Sequence, residues 1–281
     1  MKYLELTCNF SNEEYSDILV AFLADLDYDS FYNPEPLVLK AYIKEELFNE
    51  SYVIELQQNL SGNVDFRYSY KICKEENWNS VWEKNYDPVL VDNRCYVRAS
   101  FHEKMPNVEF DIEIQPKMSF GTAHHETTYQ ILSEVLKMDV SNKSFLDMGC
   151  GTGVIAILAA LKGANDIWAI ENDLWAYENT LENVKRNKVD FIKVFHGDAS
   201  LLKDKKFDII IANINRNILL NDMEKYVHVL QKHGILILSG FYEQDIDKIS
   251  CKANELGLSF NSSRTKNKWA VVNLLNTHPS K

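Results

Sequence analysis

The chain has no Cys-x-x-Cys pair. Its five cysteines, Cys8, Cys73, Cys95, Cys150 and Cys251, are scattered and odd in number, which indicates neither a disulfide framework nor a thiolate zinc site. No apolar run approaches the ~20 residues that cross a bilayer. Glu5 and its polar neighbours stand where a signal peptide needs an apolar core. No Gly-x-Ser-x-Gly elbow is present, which argues against a hydrolase of that type. His124, His125 and Glu126 are adjacent, so their side chains diverge, and no His-x-x-x-His spacing adds further ligands. The expectation is a cytoplasmic enzyme with no membrane attachment and no metal.

Bases are scarce at the N-terminal end. Residues 1–60 hold Lys2, Lys40 and Lys44 against twelve acids, a net of −9 out of −11 for the 281 residues. An acidic segment repels nucleic-acid phosphates and attracts basic partners. A solvated face that only keeps the protein soluble has the same composition.

What the chain does have is Phe145-Leu-Asp-Met-Gly-Cys-Gly-Thr-Gly153, with Glu171 ending the next apolar run. An apolar strand runs into alternating glycines, Gly149, Gly151 and Gly153, and then into a helix-like stretch, Val154 to Leu161. Glycines there let the backbone pass close under a ligand. A carboxylate about 20 residues on can accept from two ribose hydroxyls. Dinucleotide folds use Gly-x-Gly-x-x-Gly with a pyrophosphate on the helix N-terminus. Here the spacing is Gly-x-Gly-x-Gly after Asp147, whose carboxylate repels a pyrophosphate and suits a cationic amine. Cys150 reads as a small side chain fitted under a cofactor. Further on, Asp198 follows a strand at Ile192 to Phe195 and suits an adenine exocyclic amine. The apolar run Phe207 to Ile214 reads as a central parallel strand bearing Asn213 at its carboxyl end. A neutral amide there orients an acceptor nitrogen without holding it as an ammonium.

These residues resemble those of class I S-adenosylmethionine-dependent methyltransferases. Residues 112–128 narrow the resemblance to the ribosomal protein L11 methyltransferase family (PrmA), which carries Phe-Gly-Thr-Gly-Thr-His-Pro-Thr-Thr before its cofactor domain. This chain keeps Phe120, Gly121, Thr122, His125, Thr127 and Thr128, and departs at Ala123, His124 and Glu126. Ala-Asn-Ile at 212–214 also matches. The resemblance implies transfer of methyl groups to α-amino and lysine ε-amino groups of a basic ribosomal protein. It also implies cofactor or substrate contacts at Thr128, Gly149, Glu171 and Asn213. Together with Phe120, Asp147, Gly151 and Asp198, these form the expected site, with Asn213 as the catalytic, orienting residue.

The expected architecture is α/β. A ferredoxin-like α+β domain (1–72), read as substrate-recognising, is followed by a linker helix (73–90) bearing Trp78 and Trp82 on one face. A Rossmann-like methyltransferase domain (91–281) completes the chain. Within these, the patterns predict helices over Asn12–Leu26, with Ser11 as cap, and over Glu45–Leu60. They predict a β-hairpin from 89–101 and 108–114, and a C-terminal hairpin across Lys266-Asn267-Lys268. The enzyme is expected to be a monomer that does not bind nucleic acid directly. Three other readings compete. The first is a class I methyltransferase acting on another protein or on an adenine; an adenine enzyme would usually show Asn-Pro-Pro-Tyr where residues 213–216 read Asn-Ile-Asn-Arg. A non-catalytic binding protein would keep the fold and lack turnover. A nicotinamide oxidoreductase is disfavoured by Asp147 and the glycine spacing.

Overall fold

The computed structural model describes residues 3–62, 64–72, 86–117, 120–203 and 205–277. The chain divides into two compact units, Met1–Tyr86 and Asp87–Lys281. Trp78 and Trp82, on the expected linker helix, lie outside the described residues, and residues 89 and 90 already belong to a strand.

In the first unit the order is β1 (Tyr3–Phe10), α1 (Tyr15–Ala24), β2 (Ser30–Glu35), β3 (Val38–Lys44), α2 (Glu50–Leu60) and β4 (Phe66–Ile72). The sheet runs β2-β3-β1-β4 with antiparallel neighbours throughout. Two strand–helix–strand units are thus interleaved, the ferredoxin-like sandwich. Leu39, Ala41 and Ile43 alternate onto the buried face of β3, where Leu19 and Leu23 of α1 and Val53 and Leu56 of α2 join them.

Both helices are shorter than their apolar patterns. The chain turns through residues 12–15, with Asn12 Oδ1 accepting from the Glu14 N–H at 3.2 Å, so Ser11 caps nothing. The expected helix over 45–60 is two pieces, a 3-10 turn at Glu45–Leu47 and then α2. Asn49 sits between them in extended conformation, and its side-chain oxygen accepts from the Ser51 N–H at 3.0 Å. A good N-cap in mid-pattern starts a new helix there.

The second unit opens with β5 (Val89–Val91), β6 (Cys95–Ala99) and β7 (Phe110–Ile114). β5 and β6 form a hairpin whose turn residues Asp92 and Asn93 both have positive φ. β7 does not complete the expected hairpin: it crosses over and pairs parallel to β6.

Next come α3 (Glu126–Lys137), β8 (Ser144–Met148), α4 (Val154–Leu161), β9 (Asp166–Glu171), α5 (Leu174–Arg186) and β10 (Lys193–His196). They are followed by β11 (Phe207–Asn213), α6 (Arg216–Val229), β12 (Leu230–Tyr242), α7 (Ile246–Glu255), β13 (Leu258–Lys266) and β14 (Trp269–Asn276).

The large sheet has the order β10-β9-β8-β11-β12-β14-β13, parallel from β10 to β12, with β14 antiparallel to both neighbours. Alternation splits each strand between two cores. Phe145 packs with Ile131 of α3 and Ile157 of α4, while Leu146 and Met148 pack with Leu219 and Met223 of α6. Helices therefore cover both faces, as buried parallel strands require. The strand order reverses between β8 and β11, which opens a crevice at their carboxyl ends. Among the described residues no helix is long and apolar enough to cross a membrane.

Candidate active site

The crevice holds a cavity of about 300 Å³ lined by Phe120, Met148, Gly149, Gly151, Ile170, Glu171, Asn172, Asp173, Ala176, Gly197, Asp198, Asn213, Ile214, Ile218 and Asp222. It brings together six of the expected residues: Phe120, Gly149, Gly151, Glu171, Asp198 and Asn213. Apolar walls with a few convergent polar groups are the usual make-up of a small-molecule site. A cavity of about 860 Å³ in the first unit, lined by Asn9, Gln57, Asp65 and Arg67 among others, is broader and more open.

The glycine loop is shaped by protein neighbours. Gly149 and Gly151 have φ of +70° and +56°. A Cβ on Gly149 would stand 2.2 Å from Ile214 Cγ2, and one on Gly151 would stand 2.2 Å from the Phe120 carbonyl oxygen. The glycines are required because the loops after β11 and before α3 press against them. The sequence reading had assigned that close approach to the ligand. Two further bonds tie the same loops together: the Thr152 N–H donates to Phe120 O at 2.9 Å, and the Thr152 hydroxyl to Gly121 O at 2.7 Å.

Glu171 ends β9 and is buried. Its Oε2 accepts from the Gly151 N–H at 2.9 Å, and its Oε1 from the N–H groups of Asn172 and Asp173 at 2.9 and 3.1 Å. The carboxylate thus clasps the glycine loop and the start of α5 while still facing the cavity. Each carboxylate oxygen has two lone-pair sites, so three accepted bonds leave capacity for a ligand hydroxyl. Asp198 is exposed at the cavity edge and caps a short 3-10 turn, accepting from the Ser200 N–H at 2.8 Å. Bonding to Ser200 holds its carboxyl below the usual range.

Asp147 is not in the cavity. It shares the Phe145 face of β8, beneath α4, and is fully buried. Its Oδ2 accepts from the Ala156 N–H at 3.0 Å. The residue that precedes α4, Gly153, has no side chain to cap with, so the carboxylate on β8 accepts from a buried amide of the first turn. Burial pushes Asp147 up to about 7, against the lowering effect of the Ala156 bond and with some help from the Glu171 charge. Its expected role as partner of a cofactor amine is therefore corrected to that of a strand-to-helix cap. Cys150 is buried with its Sγ 3.4 Å from Thr180 Oγ1, and burial pushes its thiol well up, so it packs and does not react.

Asn213, the last residue of β11, is buried, and its Nδ2 donates to the Thr128 hydroxyl at 3.4 Å. Among the described residues its Oδ1 has no hydrogen-bond partner. A buried acceptor without a partner is costly, and this one belongs to a cavity-lining residue. Thr128 is fully buried in the first turn of α3 and does not line the cavity; it steadies Asn213.

Sequence reasoning missed the far wall. Ile218 and Asp222 lie one turn apart on α6 and both line the cavity, with Asp222 paired to Lys225 at 2.7 Å. The i, i+4 spacing behind the Asn213 turn was readable, but nothing in it marked that face as pointing to the crevice.

Comparison with known proteins places this geometry. A family model described as ribosomal protein L11 methyltransferase (PrmA) matches residues 14–277. A ribosomal protein L11 methyltransferase of Phocaeicola vulgatus is 43% identical over 280 residues, covering 98% of this chain and 99% of that protein. One from Bacteroides thetaiotaomicron is 44% identical over 277 residues, covering 97% and 99%. The crystal structure of a ribosomal protein L11 methylase from Lactobacillus delbrueckii subsp. bulgaricus aligns with a TM-score of 0.64 at 23% identity, over 69% of this chain and 100% of that one. At that identity the likeness speaks for the fold alone.

Proposed function

The chain belongs to the ribosomal protein L11 methyltransferase family, and from that premise we propose that it methylates the α-amino and lysine ε-amino groups of this ribosomal protein. It is an S-adenosylmethionine-dependent methyltransferase, and its cavity fits that cofactor. The Glu171 carboxylate keeps a lone pair on Oε2 for a ribose hydroxyl, and Asp198 is a second acceptor at the edge. Met148, Ile170 and Ile214 supply apolar walls for a base.

When bound, the cofactor supplies a methyl group already activated on a sulfonium. The chain's own residues do the rest by placement. The glycine loop and Glu171 fix the cofactor end of the cavity. Asn213 stands at the acceptor end with Thr128 holding its amide. Its free Oδ1 accepts one N–H of the incoming amine and so aims the nitrogen's lone pair. An amine has a pKa near ~8 at a chain terminus and near ~10.4 on lysine, so the proton leaves to water before transfer. A carboxylate in place of Asn213 would hold the ammonium and oppose that loss.

The observation that carries this reading is Asn213 on the wall of the same cavity as Glu171 and Asp198, with a buried Oδ1 that has no hydrogen-bond partner among the described residues. Asn213→Ala should bind S-adenosylmethionine as the wild type does, while methyl transfer to the ribosomal protein falls by about 100-fold. Equal transfer rates in the two proteins would remove Asn213 from the mechanism.

The first unit is read as the substrate-recognition domain. Glu13, Glu14, Asp17, Asp25, Asp27, Glu46 and Glu55 are all exposed there, a surface suited to a basic protein and unsuited to nucleic acid. The enzyme is held to act as a cytoplasmic monomer.

A further inference from the structure

From Phe120, which lines the cavity, a row of ring contacts leads outward through residues that do not line it. Phe120 and His125 have centroids 5.0 Å apart, His125 and Trp269 4.6 Å, and Trp269 and Tyr242 4.2 Å. The two ends face solvent, Phe120 at 52% and Tyr242 at 46% exposure, and the middle is half-buried. Rings serving only as core would be buried at both ends.

The row is held in place from three elements. His125 caps α3, with its Nδ1 accepting from the Thr127 N–H at 3.3 Å. The Trp269 carbonyl accepts from Gln130 Nε2 at 3.1 Å. The Glu243 N–H donates to Lys268 O at 2.8 Å, closing the turn that carries Tyr242 against the one that carries Trp269. Strand register connects the row to the acceptor end of the cavity. Ser239 of β12 is the register partner of Asn213, and a Cβ on Gly240 would meet Ile214 O at 2.3 Å. Tyr242 follows two residues later and pairs with Trp269.

We propose that Phe120, His125, Trp269 and Tyr242 form the acceptor wall, along which the alkyl stem and cationic head of the substrate amine pass to Asn213. This rests on the reading of the site given above. Aromatic faces attract ammonium groups and suit methylated ones especially, because each added methyl strips hydration and leaves the charge. The chain already seats one alkylammonium in this way: Lys266 Nζ lies 3.9 Å from the Tyr129 ring centroid. A wall of rings therefore binds the amine more tightly after each transfer, and retains a partly methylated product for another round.

The test uses the full chain with the intact ribosomal protein. Tyr242→Leu and Trp269→Leu keep apolar bulk and remove the ring; Trp269→Phe keeps a ring. The two leucine variants should raise KM for the ribosomal protein by about tenfold and shift the products towards partly methylated forms. Affinity for S-adenosylhomocysteine should not change, and Trp269→Phe should restore most of the loss. Wild-type KM and product pattern in both leucine variants would overturn the proposal. So would a parallel loss of cofactor affinity, which would mean that the rings act through the fold.

If the wild type transfers no methyl to this protein, the function proposed above fails. The wall is then judged by a titration of tetramethylammonium into wild type and Trp269→Leu, followed by tryptophan fluorescence. A saturable change that the substitution abolishes supports the wall, and identical traces overturn it.

Discussion

At the scale of single residues the account rests on Glu171, Gly151 and Asn213. Glu171 joins the glycine loop to the start of α5 through three backbone amides and keeps a lone pair for the ribose. Charge-assisted bonds are worth roughly 1.5–3 kcal/mol each. Glu171→Ala should therefore weaken S-adenosylmethionine binding tenfold or more by calorimetry; unchanged affinity would remove it from the site. Gly151→Ala should lower the melting temperature as well as cofactor affinity. The left-handed conformation alone costs a non-glycine residue about 1–2 kcal/mol, and the Phe120 carbonyl 2.2 Å from the new methyl must also move. A variant as stable as the wild type would show that the two loops can part freely. All three positions were readable from sequence, because a strand-end acid, a strand-end amide and a glycine run keep their spacing whatever surrounds them. Asp147 was misread because its spacing fits the loop, while strand alternation turns its side chain under α4.

Among elements, the joint between β8 and α4 has a pH signature. Asp147 is pushed up to about 7 in the folded protein from an ordinary value of 3.8. Between those values the native state holds a proton that the unfolded chain has released. The stability this provides is complete below the unfolded value and is lost as pH rises through about 7. Asp147→Asn can still accept from the Ala156 N–H and does not titrate. Its stability relative to wild type should rise as pH climbs from about 4 to about 7 and stay level beyond. Urea unfolding at a series of pH values measures this; a difference constant with pH would mean that Asp147 is ionised throughout. The strands of the large sheet were legible because buried parallel strands are continuous apolar runs. The C-terminal hairpin was legible from Lys266-Asn267-Lys268, whose last two residues take positive φ. The parallel crossover of β7 was not, since an alternating strand pattern carries no sign of its partner's direction. The break at Asn49 was hidden by helical patterns on both sides.

For the whole molecule, the uneven charge becomes a prediction about recognition. A chain beginning at Asp87 contains both cores of the large sheet and every residue of the cavity. It should bind S-adenosylmethionine and lose activity on the intact ribosomal protein. Exposed charges act over a Debye length of ~8 Å at physiological salt, so binding of that protein to the full chain should weaken as salt is raised. A truncated enzyme as fast as the full chain would leave the acidic unit with no part in recognition. The central claim is the transfer itself. The most direct measurement is mass spectrometry of the ribosomal protein after incubation with the full chain and S-adenosylmethionine carrying a labelled methyl group. Labelled methyl groups are expected on the N-terminal amine and on lysine side chains, and about 100-fold less label when Asn213→Ala replaces the wild type over the same short incubation. A ribosomal protein that stays unlabelled with active, cofactor-bound wild type would contradict that claim.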